Sequence, residues 1–432
     1  MLEELVPIDD PPSVVRRWSA SFEARPKYDR PVTAANLIDR SERERIARHL
    51  AGSVSAPALV LDVGWVNGLG AVRSLARAGV RVLALDHRPS ALGLRSRHAL
   101  PVLCPDPNLE QERFATFLTE LVEVLPSPAP IFPTHDDGLA AVARAAGSLG
   151  GGLLYPFPDW QRLEPLQRKR FQLEHATEIG VAIPATRYPS SAAEARAAVE
   201  ELGLPLLVKP SEPIGFRLAF RRQAFRCETL AELDDAYAKA EPFVPMLQEV
   251  VRGPDSALYT VGSYLDRNGE ALGVFCGRKL RQTPPGVGTC RVGESLWLPD
   301  LVTSSLELLR ACEFVGLSQV ELKRDERDGS YKLMEINPRL WLWHTLADAC
   351  GVNLPLIAYR DLTGDPPSPC TSEGARKRWA ITLLAGERTV FPRPPYVEAV
   401  FSVRDPKPGL VHLARWGLKK LRALKRTKRS AS

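Results

Sequence analysis

Val320-Glu321-Leu322-Lys323 and Met334-Glu335-Ile336-Asn337-Pro338-Arg339 are two apolar-alternating runs on either side of Arg327-Asp328-Gly329. A turn tripeptide between two such runs reads as a β-hairpin. A three-residue loop between Glu326 and Ser330 centres the pairing on Asp328 and sets Glu321 directly opposite Glu335. Side chains alternate along a strand, so Asn337 falls on the same face as Glu335. A bulge would move this register by one residue. Like charges directly opposed on neighbouring strands destabilise a sheet, so the pattern asks for a cation between them. Two carboxylates and an amide oxygen suit a hard ion such as Mg²⁺, which commonly also takes substrate phosphates. A solvent-facing hairpin edge with ordinary charges is the competing reading, and the rest of the chain decides between them.

The chain has 432 residues, enough for two or three domains with substantial cores. Its 44% hydrophobic and 25% charged content is ordinary for a soluble globular protein. No apolar run is long enough to span a bilayer. The N-terminus is acidic and lacks a basic-then-apolar leader. The seven cysteines are scattered, with no CxxC pair, which argues against a disulfide framework or zinc site and for a reducing cytoplasm. Of the formal charge of +6, eight Lys/Arg lie between His412 and Ser432 with no acid among them, so the remainder carries −2.

Residues 1–55 read as a polar N-terminal extension with a helix near Ser41 to Leu50. Ala58 to Asp62 is a buried-strand pattern followed by Gly64, Gly68 and Gly70, a helix from Ala71 to Ala78 and a second strand from Val80 to Asp86. Residues 56–160 thus predict a doubly wound α/β domain, whose ligands bind at strand C-terminal ends. The spacing Gly64-x-x-x-Gly68-x-Gly70 misses the dinucleotide fingerprint. From 161 to 364 helices alternate with antiparallel strands, an α+β pattern. It includes a helix from Lys169 to Ile179, an apolar strand ending at Lys209, and a helix from Ala347 to Leu362. The Pro-rich stretch Asp365 to Pro369 then sets off a C-terminal segment, 365–432.

In order along the chain come Lys169, Leu206-Leu-Val-Lys209-Pro210, Gln248-Glu249-Val250-Val251, Gly277-Arg-Lys-Leu-Arg-Gln-Thr-Pro-Pro285, Glu321 and Glu335-Ile-Asn337-Pro-Arg339. This series resembles the ATP-grasp superfamily of carboxylate–amine ligases, closest to its D-aspartate ligase and carbamoyl-phosphate-synthase-like branch, over residues 56–364. The resemblance implies an ATP-grasp fold of two subdomains clasping ATP, behind an N-terminal doubly wound (pre-ATP-grasp) domain. It implies ATP and Mg²⁺ as cofactors, with Mn²⁺ able to substitute. Lys169 and Lys209 would pin the phosphates as point charges. The strand Gln248, Glu249 and Val251 would face the adenine through its backbone, and Asp255 the ribose hydroxyls. Glu321, Glu335 and Asn337 would hold the metal.

Arg339, Lys279 and Arg278, with Arg281 and Arg291, bring positive charge to the transferred phosphoryl group, where positioning and charge neutralisation dominate. Lys279 and Arg281 share a face if their strand is regular. His344, after Trp341-Leu342-Trp343, is a candidate substrate contact in an acceptor pocket, and packing is its competing role. Asn67, His135 and Asp136 are candidate contacts from the first domain. The loop after Lys209 departs from the glycine-rich flap of many relatives. It has one glycine and three arginines, Arg217, Arg221 and Arg222, so its closure over ATP stays open.

The implied reaction joins a small-molecule carboxylate to an amine through an acylphosphate, releasing ADP and phosphate. An ATP-grasp enzyme with a non-amine acceptor and a non-catalytic nucleotide-binding protein are the alternatives. Leu410, Leu413, Trp416, Leu418, Leu421 and Leu424 interleave with Lys419, Lys420, Arg422, Lys425 and Arg426. This predicts an amphipathic helix in 410–432, lying on an anionic membrane from the cytoplasmic side or docked on the body. The body is not basic and contains no nucleic-acid module, which argues against RNA or DNA as partner.

Overall fold

The computed structural model describes residues 37–211, 216, 219–220, 222–286, 288–384 and 390–429, with 419–429 as backbone. Arg217, Arg221 and the first 36 residues of the extension lie outside the described residues.

Five short strands form the first sheet: β1 (Ala58–Leu61), β2 (Val82–Asp86), β3 (Leu100–Leu103), β4 (Ala129–Pro133) and β5 (Leu153–Leu154). Their order is β3-β2-β1-β4-β5, and all the pairings are parallel. Continuous Val/Leu/Ile runs suit strands covered on both faces. The helix at Arg40–Leu50 is capped by Asp39, which accepts from Glu42 N at 2.8 Å. Ile38, Ile46 and Leu50 enter the same core as Leu59 and Phe117, so this part of the expected extension is integral to the domain.

The next helix spans Val66–Arg77, not Ala71 to Ala78, so Gly68 and Gly70 lie inside it. They are there for contact: a Cβ on Gly68 would sit 2.6 Å from Val63 Cα, and one on Gly70 2.4 Å from Thr345 Cγ2. The strand Ala129–Pro133 leads within two residues into a helix, Asp136–Ala145, which carries Asp136 in its first turn.

A four-stranded sheet, β6 (Thr186–Arg187), β7 (Leu206–Pro210), β8 (Phe225–Cys227) and β9 (Pro245–Glu249), runs in the order β6-β9-β7-β8. The largest sheet has eight strands: β10 (Leu258–Leu265), β11 (Ala271–Thr283), β12 (Thr289–Ser295), β13 (Gly316–Arg324), β14 (Tyr331–Asn337), β15 (Cys370–Thr371), β16 (Arg378–Ala380) and β17 (Tyr396–Glu398). Their order is β14-β13-β10-β11-β12-β16-β17, with β15 beside β11.

The last three strands come from the segment that the Pro-rich stretch seemed to set apart. The boundary at 365 is therefore a loop within one sheet, because β12 would otherwise present an open edge. The expected single helix from Ala347 to Leu362 is two, Thr345–Ala349 and Leu354–Leu362. Gly351 at φ 93° turns the chain between them, and Asn353 caps the second by accepting from Leu356 N at 3.2 Å.

Gly262 in β10 lies under Trp341, which is 2% exposed, and an added Cβ would be 2.0 Å from the indole Cη2. Gly262→Ala is expected to lower unfolding stability by about 1–3 kcal/mol through overpacking, read as a shift in the urea midpoint at unchanged m-value.

Candidate active site

The β13–β14 hairpin sets Glu321 opposite Glu335, as the turn arithmetic predicts, but by another route. Asp325 N donates to Ser330 O at 2.8 Å, so the loop has four residues, 326–329. That turn pairs Leu322 with Leu333 and Lys323 with Lys332. Continued unbroken, it would put Glu321 opposite Met334. A register shift between Glu321 and Leu322 accommodates Met334 as an extra residue and restores the acid pair. Val320, Leu322, Leu333 and Ile336 pack into the core beneath, while Gln319, Glu321, Lys323, Glu335 and Asn337 line a cleft of about 1190 Å³.

Each acid meets its own lysine. Lys279 Nζ lies 2.7 Å from Glu321 Oε1 and 2.9 Å from Oε2. Lys169 Nζ lies 3.1 Å from Glu335 Oε2. The Lys169 charge holds Glu335 well below the usual carboxylate range, against the opposing effect of burial. Burial raises Glu321, with Lys279 pulling the other way. Burial also lowers Lys279, and the Glu321 charge and hydrogen bond outweigh it, leaving its pKa above the ordinary lysine value. The ammonium touches both carboxylate oxygens, so each partner favours the charged form of the other.

Local structure explains why these lysines reach the cleft. Lys169 is the first residue of the helix Lys169–Glu178. Its neighbours Arg168 and Arg170 turn outward to Glu164 and Glu174. Gln172, 4% exposed, clamps this helix to β14: it accepts from Ile336 N at 2.8 Å and donates to Ile336 O at 2.7 Å. Sequence reading passed over Gln172, and only its place on the helix face of Lys169 hints at the role. Lys209, on β7, donates to Gln248 Oε1 at 2.6 Å. Burial, then the Lys169 charge, pushes Lys209 down to about 7. Lys323 was also missed; its Nζ donates to Val251 O at 2.7 Å, and its alternation with Glu321 was the available signal.

Arg339 grips Asp136 with both arms of its guanidinium, Nε to Oδ1 at 2.6 Å and Nη2 to Oδ2 at 3.0 Å, joining the first domain to the cleft. Its Nη2 also donates to Asn337 Oδ1 at 3.2 Å, while Asn337 Nδ2 donates to Glu335 Oε1 at 3.0 Å.

Several expected residues sit elsewhere. Arg278 is on the opposite face of β11, bonded to Glu294 at 2.8 Å, and does not line the cleft. A register shift between Lys279 and Arg281 separates their faces, leaving Lys279 buried and Arg281 exposed. Arg291, 2% exposed, donates to Thr382 O at 3.0 Å. His344, 1% exposed, bonds Asn67 O at 3.0 Å, and Asn67 Nδ2 donates to Thr134 O at 2.8 Å. All three are packing residues in this geometry.

Glu249 lines the cleft, but its carboxylate is taken by Lys332, Arg327 and Ala185 N. Asp255 accepts from Gln282 N at 2.8 Å, Gln282 Nε2 at 2.9 Å and Gly286 N at 2.9 Å, so it holds the end of β11. Gln248 is 2% exposed and contributes its carbonyl oxygen to Lys209.

Two carboxylates and an amide among three lysines fit a nucleotide with its metal ion. Among the described residues no group of three or more His, Cys, Asp and Glu is arranged to hold a metal alone. An ion on Glu321 and Glu335 would therefore share its remaining positions with phosphate oxygens or water, as Mg²⁺ does on one or two carboxylates.

No family model matches the chain. Over 266 residues it is 24% identical to D-aspartate ligase of Enterococcus faecium, covering 58% of this chain and 62% of that protein. Over 339 residues it is 22% identical to the carbamoyl phosphate synthase large chain of Myxococcus xanthus, covering 70% of this chain and 29% of that protein. The matches thus span less than two thirds of either relative. Among solved structures, the ADP complex of purK, an N5-carboxyaminoimidazole ribonucleotide synthetase, superposes with a TM-score of 0.58 at 15% identity, over 73% of this chain and 79% of that one. With the two sheets clasping a lysine- and acid-lined cleft, and with these similarities in agreement, the chain has the ATP-grasp fold.

Proposed function

We propose that the protein is an ATP-dependent carboxylate–amine ligase. The observation that carries this reading is the opposed pair Glu321 and Glu335, kept in one cleft with Lys169, Lys209 and Lys279. ATP and Mg²⁺ are the reactants and ion that this set suits; bound, the ion neutralises charge developing on the phosphates. Glu321 and Glu335, with Asn337, would hold it.

Lys169 and Lys209 bind and orient the phosphates from two subdomains, and Lys279 and Arg339 supply further positive charge at the cleft floor. A substrate carboxylate oxygen attacks the γ-phosphorus, and the bond to the β-phosphate oxygen breaks with its electrons leaving on ADP. The amine lone pair then attacks the acyl carbon of the acylphosphate. Inorganic phosphate departs with the C–O electrons, and the nitrogen loses a proton to give the amide.

The test is a matrix of amino acids and carboxylates scored by ADP release. ADP release that requires both a carboxylate and an amine supports the proposal. Release with bicarbonate or a non-amine acceptor alone moves the protein to the carboxylase or phosphotransfer class. Nucleotide binding without any turnover makes it a non-catalytic binder.

The depressed pKa of Lys209 gives a pH signature. Phosphate favours the ammonium, so nucleotide binding takes up a proton above pH about 7, and affinity falls as pH rises through that value. In the unfolded chain Lys209 returns to its ordinary 10.5, so between about 7 and 10.5 the unfolded state binds the extra proton. On that account stability rises with pH over the window in which affinity falls. Calorimetry in buffers of different ionisation enthalpy reads the proton uptake. Lys209→Arg, which stays charged, is expected to remove it.

A further inference from the structure

A long helix, Pro406–Arg429, follows the last strand. The base is fixed to the body. Asp405, 1% exposed, accepts from Arg73 Nε at 2.9 Å, Ser96 Oγ at 2.8 Å and Arg97 N at 3.0 Å. His412 Nε2 contacts Leu383 O at 2.6 Å, and Arg415 donates to Ser90 O. At 1.5 Å per residue, the helix runs about 20 Å beyond Arg415.

Along the outward side of this anchored part, Leu410, Leu413 and Leu418 are 63%, 43% and 56% exposed. The helical repeat places Leu421 and Leu424 in line with Leu410 and Leu413. Arg415, Lys419 and Arg426 fall at positions on the other side, Lys420, Arg422 and Arg429 at the borders of the leucine stripe, and Lys425 and Lys428 within it. Thus the side that bonds the body at Arg415 is basic, and the three leucines of the anchored part are left to solvent, with lysines at the borders and the far end of their stripe.

We infer that this helix lays its leucine face on an anionic lipid surface and holds the protein there peripherally. Among the described residues no helix is long and apolar enough to cross a membrane, so the attachment is interfacial. Charge selects the occupant. Eight Lys/Arg without an acid, on a body of −2, attract negative headgroups, and a lipid surface also buries the leucines. A second copy would bring two like-charged stripes together. A polynucleotide would satisfy the charges and leave the leucines in water.

The full chain is tested by flotation with vesicles of phosphatidylcholine alone and of phosphatidylcholine mixed equally with phosphatidylglycerol. Partition onto the anionic vesicles is expected to exceed that onto neutral ones by about tenfold or more, and to fall as salt is added. The variant L410S/L413S/L418S is expected to lose about tenfold in anionic partition, with the unfolding midpoint and nucleotide binding unchanged. Equal partition onto both vesicle types, or none onto either, overturns the inference. So does a wild-type dimer in light scattering that the triple variant splits, with no vesicle binding, since the leucines would then serve self-association.

Discussion

Glu335→Gln is expected to lower carboxylate- and amine-dependent ADP release by at least about 10²-fold while leaving the fold intact. The carboxylate lies beside Glu321 on the paired strand and is about a third exposed, with Lys169 3.1 Å away. Its loss removes an ion ligand and leaves Lys169 facing water, which costs little stability because the ammonium can be solvated. Asn337 keeps its hydrogen bond to the amide oxygen of the new side chain. The expected result is therefore a kinetic lesion without a thermal one, measured as ADP release beside the unfolding midpoint. Retention of turnover within tenfold would remove Glu335 from the reacting centre.

The opposite balance is expected at Glu321. Its side chain and that of Lys279 are 11% and 7% exposed, and they pair at 2.7 Å. Glu321→Leu leaves a buried ammonium without its counter-charge, a change that typically costs about 3–5 kcal/mol. Lys279→Met alone leaves the carboxylate in the same position. Replacing both, K279M/E321L, removes the two desolvation penalties together and is expected to recover most of the stability lost in either single variant. Denaturant unfolding of the four proteins closes this cycle. If the double variant is as unstable as the sum of the singles, the pair is not coupled as its geometry requires. The double variant is expected to lose ADP release all the same, so that stability and chemistry separate at one position.

The opposed hairpin acids and the places of Lys169 and Lys209 were legible because each rests on a local rule: alternation in β13, a helix start, a strand ending before proline. The register of Glu321 was right although the turn length was wrong, since the Met334 bulge cancels the one-residue difference. The errors are tertiary. Arg278 and Arg281 were misplaced by irregular pairing in β11, which no composition signal marks. His344 and Asn67 were read as contacts because they are polar. Their partners lie 277 and 67 residues away in sequence, and those partners make them packing residues. The Pro-rich stretch at 365 looked like a boundary, but edge pairing with β11 and β12 overrides it.

The bond between Arg73 and Asp405 joins residues 332 apart in sequence. During synthesis the first domain emerges with Arg73, a largely buried cation, still lacking its counter-charge. It acquires that charge only once the chain has been made past Asp405. Strands β16 and β17 arrive in the same late stretch, so the nascent protein carries both hairpin acids well before its sheet edge is closed. Closure of this sheet edge is thus tied to synthesis past residue 405, and a chain cut short of it carries an open sheet edge and an unpaired arginine, a ready substrate for chaperones and proteases.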